Sequence, residues 1–274
     1  MTKRTCIVNG KLVDEVEACV SVFDKGYFFD FSVYSSLKVV QGKPFFPSFH
    51  VERLFESAGL IGITHSFTHQ NVLSWIHKTV EANVLKDALL RLLLVGDPDM
   101  SGKETLYCIP IGGLTFYPDA LYRDGAKVIT YPGERRVPNA KTKDLLLSFL
   151  AYREAVKNGA LDALLIDSHG TIREGTRANF FAFKGSTLIT PPPEFVLGGI
   201  TKKIVIEVAR QHFTVQEAPI LLGEIATYDE CFITSTSMNV MPVRCIDEID
   251  FARPFPKTRE LQNLFKEHCK NFRE

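Results

Sequence analysis

Residues 161–190 read LDALLIDSHGTIREGTRANFFAFKGSTLIT, and this stretch decides the fold. Leu161 to Asp167 reads as a strand, and Ser168-His169-Gly170 then turns the chain. Arg173 to Phe180 sets a lone carboxylate, Glu174, in a Gly-Thr turn. Asn179 to Phe183 and Thr187 to Ile189 are short strands around Lys184-Gly185. Helical patterns flank the stretch. Lys143 to Asn158 reads as a helix stopped by Gly159. Thr201 to Gln211 reads as another, entered through the rigid Pro191-Pro192-Pro193 loop and Gly198-Gly199. Intermingled strands and helices predict a mixed α/β or α+β chain with two subdomains.

The same mixture extends outward. Thr5 to Val8 and Lys11 to Val13 flank Asn9-Gly10, a strong hairpin signal. Tyr34 to Val40 is β-branched and aromatic, and His50 to Gly59 looks helical. Val72, Ile76, Val80 and Val84 recur every four residues, as on an amphipathic helix. Leu89 to Val95 and Tyr107 to Leu114 read as strands. Phe116 to Gly125 is the best linker candidate. Beyond it, Ala126 to Tyr131 and Cys231 to Thr234 read as strands, and Thr258 to Asn271 as a closing amphipathic helix.

Composition narrows the class. The 274 residues are 45% apolar and 23% charged, which is globular and argues against disorder. Lys plus Arg and Asp plus Glu are 32 each, so no global field recruits nucleic acid or an anionic membrane. The six cysteines are irregularly spaced without C-x-x-C, which predicts reduced thiols rather than disulfides or structural zinc. With no apolar leader and no membrane-length run, a soluble cytoplasmic protein is expected. P-loop, dinucleotide, H-E-x-x-H and G-x-S-x-G motifs are missing. His65 and His69 could share a helix face, but no carboxylate accompanies them, and no metal site is expected.

Four elements of sequence carry chemistry. They are His50-Val51-Glu52-Arg53-Leu54, Asn139-Ala140-Lys141-Thr142-Lys143-Asp144, Arg173 to Phe180, and the loop pair Gly198-Gly199-Ile200-Thr201 with Thr234-Ser235-Thr236-Ser237. The two loops suit a phosphate: Gly199 permits close backbone approach, and Thr201 opens a helix whose first amides point outward. Thr236 can add a hydroxyl and Arg53 a bidentate charge. Each is ordinary alone. Thr201 could simply be an N-cap, and Arg53 a surface arginine.

As an ordered set, from about Val20 to Val243 and most strongly from Lys141 to Ile204, these segments resemble the fold-type IV, or class IV, pyridoxal-phosphate aminotransferases. That family includes branched-chain aminotransferases, D-amino-acid aminotransferases and aminodeoxychorismate lyases. The resemblance implies a small N-terminal α/β domain over 1–117, a hinge-like linker at 118–125, and a large domain over 126–274 with a β-barrel-like core. It implies pyridoxal 5'-phosphate as cofactor, an amino acid and a 2-oxo acid as substrates, and a homodimer whose sites use loops from both subunits.

The resemblance puts the Schiff-base lysine at Lys141. Lowering a lysine from about 10.4 to about 7 takes on the order of 4–5 kcal/mol. Residue physics alone does not separate Lys141 from Lys143; the family spacing to Gly159 selects Lys141. Glu174 matches the carboxylate that pairs with the pyridine nitrogen and keeps the ring an electron sink. By the same correspondence Arg53, Ile200, Thr201 and Thr236 would hold the phosphate, Asn179 would support the cofactor end of the site, and Gly199 and Ser235 would also belong to the cofactor-binding set. Tyr34 and Ser237 would face the substrate.

The chain also departs from the family. Where F-G-D-G-V-Y-E is usual, it has Phe29-Asp30-Phe31-Ser32-Val33-Tyr34-Ser35, without the acid. The R-x-H loop of D-amino-acid enzymes is replaced by Gly96-Asp97-Pro98-Asp99-Met100. The Y-x-R of branched-chain enzymes survives only as Leu89-Leu90-Arg91, and their tyrosine five residues after the lysine is Leu146. Arg91 is the candidate for capturing the substrate carboxylate, with a salt-bridged strand arginine as its alternative. The expected activity is transamination of a branched-chain-like or D-amino acid. The alternative is an aminodeoxychorismate-type carbon–carbon lyase on the same scaffold.

Overall fold

At Asn9-Gly10 both residues have positive φ, 47° and 84°, and the turn closes β1 (Thr5–Val8) on β2 (Lys11–Asp14) with Val8 opposite Lys11. Paired positive φ values give the turn the twist of its flanking strands. The computed structural model describes residues 4–271. They form two units: residues 4–115 with Ala140–Asp144, and residues 116–139 with 145–271.

In the first unit the chain continues through α1 (Lys25–Phe28), β3 (Ser32–Val40), β4 (Lys43–Pro44), α2 (Pro47–Leu60), α3 (His69–Ala82), β5 (Ala88–Val95) and β6 (Thr105–Gly113). The antiparallel sheet has the order β2-β1-β6-β5-β3-β4. Strict alternation sets its two faces. Val33, Leu37 and Val39 of β3 and Leu90, Leu92 and Leu94 of β5 are fully buried, in one core with Val51 and Leu54 of α2 and Val72 and Ile76 of α3. Each such side chain contributes about 1.5–3 kcal/mol on leaving water. Tyr34, Ser36 and Lys38 take the other face of β3, and Arg91 that of β5.

Lys141 belongs to this first unit although it lies beyond residue 126 in sequence. The Tyr34 N–H donates to the Lys141 carbonyl at 2.9 Å, and the Lys143 N–H donates to the Ser32 carbonyl at 3.2 Å. Val33 and Thr142 are thereby paired antiparallel. This corrects the expected helix start at Lys143. Those amides are taken by the edge of β3, so the helix begins only at Leu146.

The second unit contains α4 (Asp119–Asp124), β7 (Ala126–Pro132), α5 (Leu146–Lys157), β8 (Asp162–Ile166), β9 (Thr171–Gly175), β10 (Asn179–Lys184), β11 (Thr187–Thr190), α6 (Ile200–Ala209), β12 (Thr214–Glu217), β13 (Ile220–Leu221), β14 (Glu230–Ser235), β15 (Asn239–Ile246), β16 (Ile249–Asp250) and α7 (Pro256–Asn271). Six strands close on themselves in the order β10-β14-β15-β7-β8-β9, with β9 returning to β10 through Glu174 and Asn179. The barrel is filled by Leu164, Ile166, Phe180, Ile233, Met241 and Val243. Strand β8 is buried throughout because Ala163 and Leu165 pack against Ala151 and Ala155 of α5. Outside the barrel, Phe181 and Phe232 stack at 4.8 Å.

Glu174 lies in a strand, Thr171–Gly175, and the chain bends just after it, at 176–178. The linker candidate contains a six-residue helix, α4. Among the described residues no helix is long and apolar enough to cross a membrane. All six cysteines are free thiols, four of them buried.

Candidate active site

The candidate residues fall into two sets, one per unit. In the first unit Lys141 leaves the β3 edge with its Nζ 4.7 Å from the centre of the Tyr34 ring. The Arg91 guanidinium lies 5.0 Å from the same ring, and its Nε donates to Ser36 Oγ at 3.4 Å. Arg91 is thus held by a hydroxyl and an aromatic face. Tyr34, Arg91 and Lys141 share the outward face of the sheet. Lys143 instead pairs with Asp30 at 3.0 Å and lies over Tyr27.

Helix α2 enters this set from the other side of β3. Its buried residues His50, Arg53 and Ser57 share one face at spacings of three and four. Ser57 Oγ receives the Lys141 backbone N–H at 3.1 Å. Arg53 Nη2 donates to Ser35 Oγ at 2.8 Å, and Ser35 Oγ lies 2.9 Å from His50 Nδ1. Burial first, then the charges of Arg53, Lys141 and Lys38, push the His50 imidazole well below its ordinary range. No role was read from the sequence for Ser35, His50 or Ser57, although His50 opens the quoted His50–Leu54 segment and stands three residues before Arg53.

In the second unit Glu174 and Asn179 stand opposite each other at the β9–β10 join. Glu174 is 5% exposed. Arg135 Nη1 donates to its Oε1 at 3.3 Å, and the Leu197 N–H donates to Oε2 at 3.2 Å. Asn179 Nδ2 donates to the Leu197 carbonyl at 2.8 Å. Glu174 and Asn179 therefore grip the two ends of Leu197, just before the Gly198-Gly199 loop. The loop also needs its glycine: a Cβ on Gly199 would fall 1.9 Å from Asn179 Oδ1.

Gly199 is the N-cap of α6, with no side-chain capping bond. Thr201 is therefore inside the first turn rather than at the cap. The first intrahelical donor is the Lys203 N–H, to the Gly199 carbonyl at 2.9 Å. The amides of Ile200, Thr201 and Lys202 lie at the positive end of a ten-residue helix. Lys202 is 4% exposed, donates to the Pro191 carbonyl at 2.8 Å, and is pushed down to about 8 by burial. Neither Lys202 nor Arg135 was anticipated; doublets such as Lys202-Lys203 and Arg135-Arg136 look like solvated charge.

Thr234, opposite Asn179 on β14, is buried, and its hydroxyl has no hydrogen-bond partner. The β14–β15 turn follows. Ser235 Oγ receives the Met238 N–H at 3.1 Å and lies 3.3 Å from Ser237 Oγ, which leaves Thr236 at the turn's tip. Ser235 thus shapes the turn. His65 and His69 do not share a helix: His65 packs against Phe55 in the loop before α3, and His69 is the first residue of that helix. Among the described residues no group of three His, Cys, Asp or Glu is placed to hold a metal.

The sheet, the barrel and these two sets match known proteins along most of the chain. The family model for amino-transferase class IV matches residues 32–246. A Methanocaldococcus jannaschii protein, provisionally named a branched-chain-amino-acid aminotransferase, is 35% identical over 276 residues, covering 95% of this chain and 94% of that one. D-alanine aminotransferase of Bacillus licheniformis is 29% identical, covering 95% of each. The crystal structure of Escherichia coli branched-chain amino acid aminotransferase superposes with a TM-score of 0.88 at 25% identity, covering 97% of this chain and 94% of that chain. The chain belongs to the class IV aminotransferases.

Proposed function

We propose that this aminotransferase uses pyridoxal 5'-phosphate to move an amino group from an α-amino acid of the branched-chain type to a 2-oxo acid. The donor set fits that cofactor. Glu174 is a buried carboxylate on a rigid strand end, as a ring-nitrogen partner must be. Gly199 and the open first turn of α6 suit a phosphate, Thr234 offers a buried hydroxyl in want of a partner, and Arg53 is a buried, oriented cation.

The cofactor supplies an electrophilic carbonyl and an electron-withdrawing ring. Lys141 would provide the amine that holds that carbonyl. Once a substrate amine displaces it, Lys141 Nζ would carry a proton between the substrate's Cα and the cofactor carbon beside it. Glu174 would keep the ring nitrogen protonated, and Asn179 would hold the loop. Arg53, Ile200, Thr201, Ser235 and Thr236 would bind the phosphate. Arg91 would take the substrate carboxylate, with Tyr34 and Ser237 lining its path. The observation that carries this reading is the placement of Lys141, whose backbone is fixed by Tyr34 and Ser57 while its amine is directed over the Tyr34 ring.

A homodimer is part of the reading. Residues 16–29 expose Val16, Val22, Phe23, Tyr27, Phe28 and Phe29, with Phe23 90% exposed. So much apolar surface on one segment suits a protein interface. Neutral charge and free thiols support a cytoplasmic enzyme without a nucleic-acid or membrane partner. The test is the visible spectrum of the protein with pyridoxal phosphate, before and after L- or D-amino acids without an acceptor. A yellow band that shifts with L-leucine or L-valine supports the reading. No band, or a shift confined to D-amino acids, overturns it.

A further inference from the structure

On the core-facing side of β3 the residues are Val33, Ser35, Leu37 and Val39, all fully buried. Ser35 is the one polar member of that row. A hydroxyl in such a place must find partners, because an unmet polar group in an apolar core is costly. Ser35 finds two, and both come from α2: Arg53 Nη2 at 2.8 Å and His50 Nδ1 at 2.9 Å.

Proton accounting gives the direction of the first bond. A guanidinium only donates, so Ser35 Oγ accepts from Arg53. In the second bond either Ser35 Oγ or His50 Nδ1 can be the donor, according to the tautomer of the ring. A neutral ring with its proton on Nε2 would let Nδ1 accept the single Ser35 proton, whereas an imidazolium would put a second buried charge beside Arg53. Arg53 on α2, Lys38 on β3 and Lys141 on the segment paired with β3 are the charged groups that act on this ring, and all are cationic.

We propose that Ser35 and His50 form a neutral relay that fixes the Arg53 guanidinium for the phosphate of the cofactor, which makes them positioning residues for phosphate recognition. The proposal rests on the reading of Arg53 as a phosphate ligand. It also gives a consequence to the chain's departure from the F-G-D-G-V-Y-E pattern. An acid at position 35 would pair with the guanidinium and draw a proton onto His50. A hydroxyl in that place orients the Arg53 guanidinium without adding a negative charge beside it.

The test compares the affinities of pyridoxal phosphate and of pyridoxal, which lacks the phosphate. Both are measured by absorbance on the full-length protein carrying wild-type Ser35, Ser35→Ala or Ser35→Thr. Ser35→Ala should weaken pyridoxal phosphate about tenfold, the scale of one lost bond to a charged group, and leave pyridoxal unchanged. Ser35→Thr should restore most of the difference. An equal loss for both ligands would reduce Ser35 to a packing residue and overturn the proposal, as would no loss for either.

A second readout does not depend on the cofactor. In ¹⁵N-histidine spectra of the wild-type chain, His50 should keep the neutral Nε2–H form as the pH falls through the ordinary histidine range. A His50 that titrates near the ordinary 6.5, or carries its proton on Nδ1, would overturn the relay. If the wild-type chain takes up neither ligand, the cofactor reading falls by itself, and the histidine spectrum alone decides the relay.

Discussion

Tyr34 and Lys141 are joined twice: the Tyr34 N–H donates to the Lys141 carbonyl at 2.9 Å, and Lys141 Nζ lies 4.7 Å from the Tyr34 ring centre. The first link sets where the lysine's backbone runs; the second limits where its amine can go. Arg91, 5.0 Å from the same ring, makes Tyr34 the common neighbour of both cations. A ring face attracts a cation by about 0.5–2 kcal/mol, the more so where water is excluded.

Tyr34→Ala should therefore lower kcat/KM by about 10- to 100-fold, because Lys141 and Arg91 both lose their aromatic support. Tyr34→Phe keeps the ring and should retain more activity than Tyr34→Ala. Steady-state kinetics on the two variants checks this, and equal losses would show that the ring's position does not matter.

Gly199 and Asn179 form a second testable pair. A methyl group on Gly199 would meet Asn179 Oδ1, so Gly199→Ala should destabilise the chain by about 1–3 kcal/mol, the scale of overpacking. Asn179→Ala should cost about 1 kcal/mol through loss of its bond to the Leu197 carbonyl. The double variant should be less destabilised than the sum of the two, since the clash is gone. Urea denaturation of the four proteins closes the cycle, and strict additivity would contradict the packing described.

These two pairs show what was legible in the sequence. Glu174, Asn179 and Gly199-Ile200-Thr201 stand in the order of the family that the chain resembles, so they could be picked out. Lys141 was chosen by that order, not by its surroundings. The helix expected from Lys143 failed because local propensity does not see that Ser32 and Tyr34, more than a hundred residues earlier, take up the backbone of Lys141 and Lys143. Strand β9 was hidden by Arg173 and Glu174, polar residues that read as a turn until the barrel closes around them. Ser35 and Lys202 were missed for a related reason: a serine in a strand and a lysine in a helix carry no mark of burial.

Lys202 yields a pH prediction. Burial lowers its amine from 10.5 to about 8, so the folded state holds the Lys202 proton less tightly than the unfolded chain does. Below about pH 8 both states carry the proton and the full cost of burying the charge is present. Between about 8 and 10.5 the folded state alone gives it up, and the cost fades. Lys202→Met should thus raise stability by about 1–3 kcal/mol at pH 7. The gain should disappear by about pH 10, where only the lost bond to the Pro191 carbonyl remains. Thermal unfolding at the two pH values checks the sign, and a pH-independent gain would contradict it.

Glu174→Gln separates charge from geometry. Its side-chain oxygen can still accept the Leu197 N–H, so the fold should hold. A neutral amide cannot keep a pyridine nitrogen protonated, so kcat should fall by about 10²-fold or more. Single-turnover kinetics with unchanged unfolding temperature is the expected pattern. A fall in stability that matches the fall in rate would show that Glu174 is only a brace for the loop.

The most direct test is to load the enzyme with pyridoxal phosphate, reduce it with borohydride, digest it and map the modified lysine by mass spectrometry. The account predicts that the pyridoxyl group is found on Lys141. It should be missing from Lys143, which is occupied by Asp30, and from Lys202, which is occupied by the Pro191 carbonyl. Modification of Lys143 or Lys202 in place of Lys141 would contradict the assignment on which every other role rests.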